Sequence, residues 1–213
     1  MTDGAARGRF ITLEGGEGAG KSTQARRLAA HLSDRGIPVL VTREPGGSAG
    51  AEKIRGLLLD GQGFDPLAEA MLMFAARREH VVATIRPALE AGMWVISDRF
   101  ADSTRAYQCH GQGVPGEVYR KLADLALEGL APDLTLILDI PPEAGMARAA
   151  ARGVAADRYE RLDTGFHARV RAGFLAIAAA EPGRCAVVDA SAGVEQVFPA
   201  IRAVVAERLG IPA

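Results

Sequence analysis

Five short runs of apolar, β-prone residues punctuate the chain: Phe10 to Leu13, Pro38 to Thr42, Trp94 to Ser97, Leu134 to Leu138 and Ala186 to Val188. They are continuous rather than alternating, the pattern of strands buried on both faces. Longer stretches with apolar residues at helical spacing lie between them: Lys21 to Arg35, Ala49 to Leu59, Pro66 to Ala91, Pro115 to Glu128, Ala144 to Arg152, Gly165 to Ala180 and Val194 to Leu209. Gly36 follows the first in the usual C-terminal position. Strands alternating with helices predict a mostly parallel sheet covered on both sides, a three-layer α/β fold with its active loops at the strand C-termini. No repeat or linker-like composition interrupts the pattern, so residues 1–213 read as a single domain. The Ala-rich stretches fall at helical spacing and read as packing surfaces.

Composition narrows the classes. With 213 residues, 48% of them hydrophobic and 24% charged, the chain has the make-up of a soluble globular protein. A formal net charge of -1 removes the basic footprint of a nonspecific nucleic-acid binder. No apolar run reaches the length of a membrane span, and Met1 to Arg9 lacks the apolar core of a signal peptide. Cys109 and Cys185 have neither metal-ligand spacing nor the count of a disulfide framework, so a cytoplasmic setting is expected.

The chemistry begins at Gly15-Gly16-Glu17-Gly18-Ala19-Gly20-Lys21-Ser22, which matches G-x-x-x-x-G-K-[ST] between the first strand and the first helix. Glycines let backbone N–H groups converge on phosphate oxygens, and the helix N-terminus adds unsatisfied donors. Lys21 can reach the β- and γ-phosphates, the Ser22 hydroxyl can ligate Mg²⁺, and Thr23 follows in the same turn. Among 22 arginines the chain has three lysines, and one sits where a compact point charge on phosphate is wanted.

Three kinds of P-loop protein compete. A guanine-reading switch needs an Asn-Lys-x-Asp element, and the sequence contains no asparagine. A transporter ATPase needs an LSGGQ-like element, which is absent. A small-molecule kinase needs a second phosphate site and a mobile cover. Asp98-Arg99-Phe100, after the third strand, offers the former: Asp98 to hold Mg²⁺-bound water and Arg99 to clasp an acceptor phosphate with a planar guanidinium. Arg148, Arg152 and Arg158, around the small-residue segment 153–157, offer a lid over residues 148–160. Asp139, ending the fourth strand before a helix start, reads as structural.

The strings LEGGEGAGKST, TREPGG, VISDRFADSTRAYQ and RG…DRYE, in this order and across nearly the whole chain, closely resemble the thymidylate kinase (dTMP kinase) family. The resemblance implies transfer of the ATP γ-phosphoryl to dTMP with Mg²⁺, giving dTDP and ADP, and a place in dTTP synthesis. It also implies a five-stranded parallel sheet and a homodimer formed through helices. Residue by residue, it implies that Glu17 contacts the deoxyribose 3′-hydroxyl and Arg99 holds the dTMP phosphate. Thr104 would meet the thymine N3 edge with Gln108 nearby, and Tyr107 would stand where a 2′-hydroxyl would project. Glu44 and Pro45 would line the acceptor pocket, and Arg152 would lie over adenine, with Arg148 and Arg158 free for phosphate. With no arginine in the P-loop, the chain is similar to the bacterial type, whose catalytic arginine comes from the lid.

The family's thymine-stacking ring one turn before an arginine has two registers in Met71 to Arg78: Met73 with Arg77, or Phe74 with Arg78. Arg77 is favoured for the base, with Phe74 kept as the ring. Cys109 and His110 depart from the usual glycines and read as loop residues. The remaining alternatives are a kinase of the same fold acting on another nucleoside monophosphate, and a nucleotide-binding regulator that hydrolyses ATP slowly.

Overall fold

The computed structural model describes residues 7–59, 62–151, 153 and 158–211. Its centre is a five-stranded parallel sheet: β1 (Phe10–Glu14), β2 (Val39–Arg43), β3 (Trp94–Asp98), β4 (Leu134–Asp139) and β5 (Cys185–Asp189), in the order β2-β3-β1-β4-β5. The expected strands are present, each within about a residue or two of its sequence limits. Alternate residues face opposite layers. Ile11 and Leu13 of β1 with Leu134, Leu136 and Leu138 of β4 pack on α1 (Lys21–Ser33), while Phe10 meets the edge of Phe100 at 4.8 Å on the other side. Ile201 and Val205 of α9 (Val194–Leu209) complete the first core.

Between β2 and β3 come α2 (Ala49–Leu59) and α3 (Pro66–His80). Asp65 caps α3, accepting from Leu67 N at 3.0 Å, and Pro66 occupies the first turn where no N–H is missed. The single helix expected from Pro66 to Ala91 is broken into α3, a π-helical turn at Val81–Ile85, and α4 (Arg86–Glu90). Pro87 lacks the N–H that an unbroken α-helix would use, and the wider turn just before it absorbs the mismatch.

A helical stretch that the periodicity does not announce follows β3: α5 (Ala101–Thr104) running into a π-helical segment, Arg105–Gly111. Its sequence, ADSTRAYQCHG, is mostly polar, and Ser103, Thr104, Tyr107 and Gln108 line the cavity described below. Further along come α6 (Gly116–Leu127), α7 (Pro142–Ala150) and α8 (Thr164–Ala180). Asp163 caps α8, accepting from Phe166 N at 2.9 Å. Phe166, Phe174 and Ile177 of α8 then cover Tyr107 and Ile137. Among the described residues no helix is long and apolar enough to cross a membrane.

Candidate active site

Strands β1 and β3 run side by side, with Leu13 opposite Asp98, so the loops leaving both strand ends open into one place. A cavity of about 530 Å³ lies there. Its wall takes Glu17, Gly18 and the run Gly20 to Thr23 from the P-loop side, and Asp98, Arg99, Thr104, Tyr107 and Gln108 from the β3 side. Glu44, Pro45, Met73 and Arg77 close it from β2 and α3.

The P-loop wraps so tightly that two of its glycines are obligatory. Gly15 (φ 133°) leaves no room for a Cβ beside the Leu138 carbonyl, and Gly18 (φ 68°) none beside the Gly145 carbonyl at the start of α7. Gly15, Gly16 and Ala19 do not face the cavity. The carbonyls of Gly15 and Gly16 instead accept from Lys21 Nζ at 3.2 and 2.7 Å. Lys21 is buried, and that burial, with Arg99 nearby, lowers its pKa while Glu17, Asp98 and Glu14 oppose the shift. Ser22 Oγ donates to Asp98 Oδ2, so one hydroxyl and one carboxylate stand together at the mouth of the loop.

Across from Lys21, Arg99 has a left-handed backbone (φ 70°), which is costly for a residue with a Cβ. Its guanidinium donates to Gly15 O at 3.0 Å, Ser103 Oγ at 3.2 Å, Glu17 Oε1 at 2.7 Å and the Tyr107 hydroxyl at 2.9 Å. Tyr107 in turn donates to Glu17 Oε1 at 2.6 Å. Burial would raise the Glu17 pKa, but Arg99, Lys21 and the Tyr107 hydroxyl outweigh it and pull it down to about 2. Glu17 is therefore an acceptor at any working pH. Burial pushes the Tyr107 phenol well above its ordinary range, so it keeps its proton.

A second network fixes the far end of the cavity. Arg77, 2% exposed, donates from Nε to Glu44 Oε2 at 2.7 Å, and its terminal nitrogens donate to Thr104 Oγ1 at 3.1 Å and Phe100 O at 3.0 Å. The other Glu44 oxygen meets His80 Nδ1 at 3.0 Å, and His80 Nε2 meets Thr42 Oγ1 at 2.7 Å. Pro45 follows Glu44 through a cis peptide. A guanidinium with three fixed partners on two segments keeps its remaining N–H groups in one orientation. Arg78 points away, to the Ala126 carbonyl and Glu128, and is not on the cavity wall.

The ring expectation changes here. Phe74 is buried against Tyr119, at 5.5 Å between centroids, with the Arg77 guanidinium over its face at 4.8 Å, and it does not line the cavity. The residue at the wall is Met73, because the helix turn that aims Arg77 inward carries position 73 and not 74 with it.

The lid arginines also differ from expectation. Arg148 lies off the cavity wall, donating to Ala190 O at 2.7 Å and to the Ser191 and Ala192 carbonyls beyond β5. Arg158 pairs with Glu69 Oε2, a fully buried carboxylate whose other oxygen accepts from Tyr159 OH at 2.8 Å, Gln108 Nε2 at 2.9 Å and Gln112 Nε2 at 2.9 Å. A buried carboxylate demands such a counterion, so Arg158 is drawn to α3 rather than left free. Arg152 lies outside the described residues. Among the described residues of the expected lid segment, Tyr159 and Glu160 reach the cavity. Asp139 is paired with both nitrogen arms of Arg171 at 2.7 and 2.8 Å, a structural role as expected.

Several cavity residues escape a reading of the sequence: Arg26, Arg43, Arg55, Leu59 and Ser103 line it as well. Arg43 was legible as part of TREPGG, and Ser103 as part of DST, but without a role. Arg26 and Arg55 sit on helix faces that carry no local signal of a shared cavity.

A P-loop facing a second cationic grip, with the sheet order found here, defines a P-loop kinase of small molecules. The thymidylate kinase family model matches residues 13–201, and the chain belongs to that family. It is 54% identical to the thymidylate kinase of Caulobacter vibrioides over 206 residues, covering 96% of this chain and 99% of that one. It is 52% identical to the thymidylate kinase of Chromohalobacter salexigens, covering 95% and 97%. The crystal structure of thymidylate kinase from Ehrlichia chaffeensis superposes with a TM-score of 0.76 at 38% identity, over 93% of this chain and 99% of that one.

Proposed function

We propose that the cavity binds ATP at the P-loop end and dTMP at the Arg99–Arg77 end, and that the chain transfers the ATP γ-phosphoryl group to dTMP. The observation that carries this reading is the opposed pair, Lys21 on one side and Arg99 on the other, both bonded to the Gly15 carbonyl. Two polyanions gripped there face each other across a short gap. A dTMP phosphate oxygen forms the new bond to the γ-phosphorus, the bond from the γ-phosphorus to the β–γ bridging oxygen breaks, and ADP leaves with the bridging oxygen. Neither a covalent enzyme intermediate nor a general base is needed, because a phosphate oxygen is already an anion. Catalysis then lies in position and charge.

On the acceptor side, Arg99 holds the dTMP phosphate and Glu17 accepts from the 3′-hydroxyl, its carboxylate kept charged by Arg99 and Lys21. Tyr107, whose hydroxyl is already bonded to Glu17 and Arg99, fills the space beside the sugar. Arg77 and Thr104 present donors and an acceptor to the thymine edge, Met73 packs on its face, and Gln108 is held near it by Glu69 and Tyr159. On the donor side, the P-loop amides and Lys21 take the β- and γ-phosphates. The hard oxygen pair of Ser22 and Asp98 suits Mg²⁺ and would hold it, and the ion would supply charge neutralisation on the phosphates. Lid arginines complete the charge: Arg152 at adenine and Arg148 or Arg158 released from their present partners.

The family's homodimer finds support in exposed Leu57 on α2, Met71 on α3 and Leu125 on α6, three helices that pack side by side. The two free thiols suit a cytoplasmic setting. The test is ADP formation with dTMP, dUMP, dCMP, AMP and GMP as acceptors. The reading expects the highest kcat/KM with dTMP; preference for another acceptor, or ADP release without one, would overturn it.

A further inference from the structure

Glu14 closes β1 just before the P-loop glycines, is fully buried, and does not line the cavity. Nothing in the phosphoryl transfer uses it directly. Its Oε1 accepts from Phe100 N at 2.7 Å, and Ser103 Oγ donates to its Oε2 at 2.6 Å. These two bonds bracket Arg99. Phe100 is the next residue in the chain, and Ser103 Oγ is itself touched by the Arg99 guanidinium at 3.2 Å.

The backbone of Arg99 is pinned on its other sides too. Its N–H donates to Leu13 O at 2.9 Å, and Ser97 Oγ donates to its carbonyl at 2.7 Å. The sheet ladder ends here, so the buried Phe100 N–H has lost its strand partner. The nearby Gly15 carbonyl is already taken by Lys21 and Arg99. A side-chain acceptor must therefore serve Phe100, or a buried donor is orphaned. Burying a carboxyl is itself unfavourable: burial and the neighbouring Asp102 carboxylate push the Glu14 pKa up to about 8, against Ser103, Arg99 and Phe100, which pull it down. An apolar residue would pack more cheaply at a strand end, so the carboxyl is explained by what it holds.

We infer that Glu14 is a positioning residue for the acceptor phosphate: through Phe100 N and Ser103 Oγ it holds Arg99 in the left-handed conformation from which its guanidinium faces Glu17, Tyr107 and the cavity. The inference rests on the reading of Arg99 as the grip on dTMP phosphate, and its test separates the two.

Steady-state kinetics of wild type, Glu14→Ala, Arg99→Ala and the double variant, with dTMP and ATP varied in turn, form a closed cycle. Glu14→Ala is expected to raise the dTMP KM about tenfold while the ATP KM stays within about twofold. Glu14→Gln, whose amide can accept from Phe100 N and donate to Ser103 Oγ, should bring the dTMP KM back to within about threefold of wild type. In the Arg99→Ala background, adding Glu14→Ala should change the dTMP KM by less than about twofold, since the group it acts through is gone. If Glu14→Ala does not fold, Ser103→Ala takes its place in the same cycle, with a smaller rise that also vanishes without Arg99. A rise of equal size with and without Arg99, or no rise, would overturn the inference. Should Arg99→Ala itself leave the dTMP KM unchanged, the acceptor reading fails and takes the inference with it. Should Arg99→Ala raise it while Glu14→Ala and Ser103→Ala do not, the inference fails alone.

Discussion

The two halves of the cavity are built differently. On the acceptor side nearly every polar group already has its partner: Arg99 with Glu17 and Tyr107, and Arg77 with Glu44, Thr104 and the Phe100 carbonyl. On the proposed donor side the cations are likewise held by protein groups. Lys21 rests on two P-loop carbonyls, Arg148 on the carbonyls of residues 190–192, and Arg158 on Glu69. The Arg77 end of the acceptor half is therefore preorganised, whereas Arg99 would have to give up some of its present partners to take a phosphate. Under the proposed ATP-binding role, the donor-half cations would have to change partners when a triphosphate binds. Glu69 joins the halves, because the carboxylate that retains Arg158 also fixes Gln108.

The largest effect expected is at Lys21. Lys21→Ala should lower kcat by about 10³ or more while the melting temperature holds, since a charge on the transferring group is lost and no core residue is touched. Retained turnover would mean that the donor half does not depend on this ammonium. Arg99→Ala should instead raise the dTMP KM by about 10² with the ATP KM nearly unchanged. Equal effects on both substrates would dissolve the contrast between the halves. At the far end, Arg77→Ala should raise the dTMP KM at least about tenfold and destabilise the protein by about 3 kcal/mol, because Glu44 would stay buried without its counterion. Arg78→Ala, on the outer surface, should leave the dTMP KM within about twofold. A reversed order of these two would restore the Phe74–Arg78 register.

The smallest effect is a matter of pH. Glu14 and Glu17 lie three residues apart and shift in opposite directions, to about 8 and about 2. A carboxyl raised in the folded state gives stability that is complete below about 4.5 and declines as pH climbs to about 8. One lowered in the folded state gives stability that is complete above about 4.5 and is lost only as pH falls through about 2. Glu14→Gln should therefore flatten the fall in melting temperature between pH 5 and pH 8, whereas Glu17→Gln should not. Parallel curves for wild type and Glu14→Gln would show that Glu14 ionises normally.

The sequence already carried the sheet, the P-loop and Arg99, because each is written locally: a strand is an apolar run, a P-loop is a spacing, and DRF follows a strand. What it hid depends on the fold's long-range geometry. The helical stretch from Ala101 to Gly111 shows no apolar stripe, since buried Asp102, Thr104 and Gln108, bonded to Arg184, Arg77 and Glu69, stand among its buried apolar residues. Arg158 and Glu69 are 89 positions apart, and nothing in either segment announces the other. Met73 rather than Phe74 at the wall follows from the rotation of α3, which packing against α2 and α6 sets. Glu14 had a faint signal, a charged residue ending the apolar run ITLE, yet its partners lie more than 80 positions away.

Whether two anions are gripped separately is decided by a crystal structure of the protein with dTMP bound. The account predicts the dTMP phosphate within hydrogen-bond distance of the Arg99 guanidinium, the 3′-hydroxyl on Glu17, and thymine between Met73 and the Arg77–Thr104 pair. A phosphate seated on the P-loop amides and Lys21, with Arg99 still bonded only to protein groups, would contradict it.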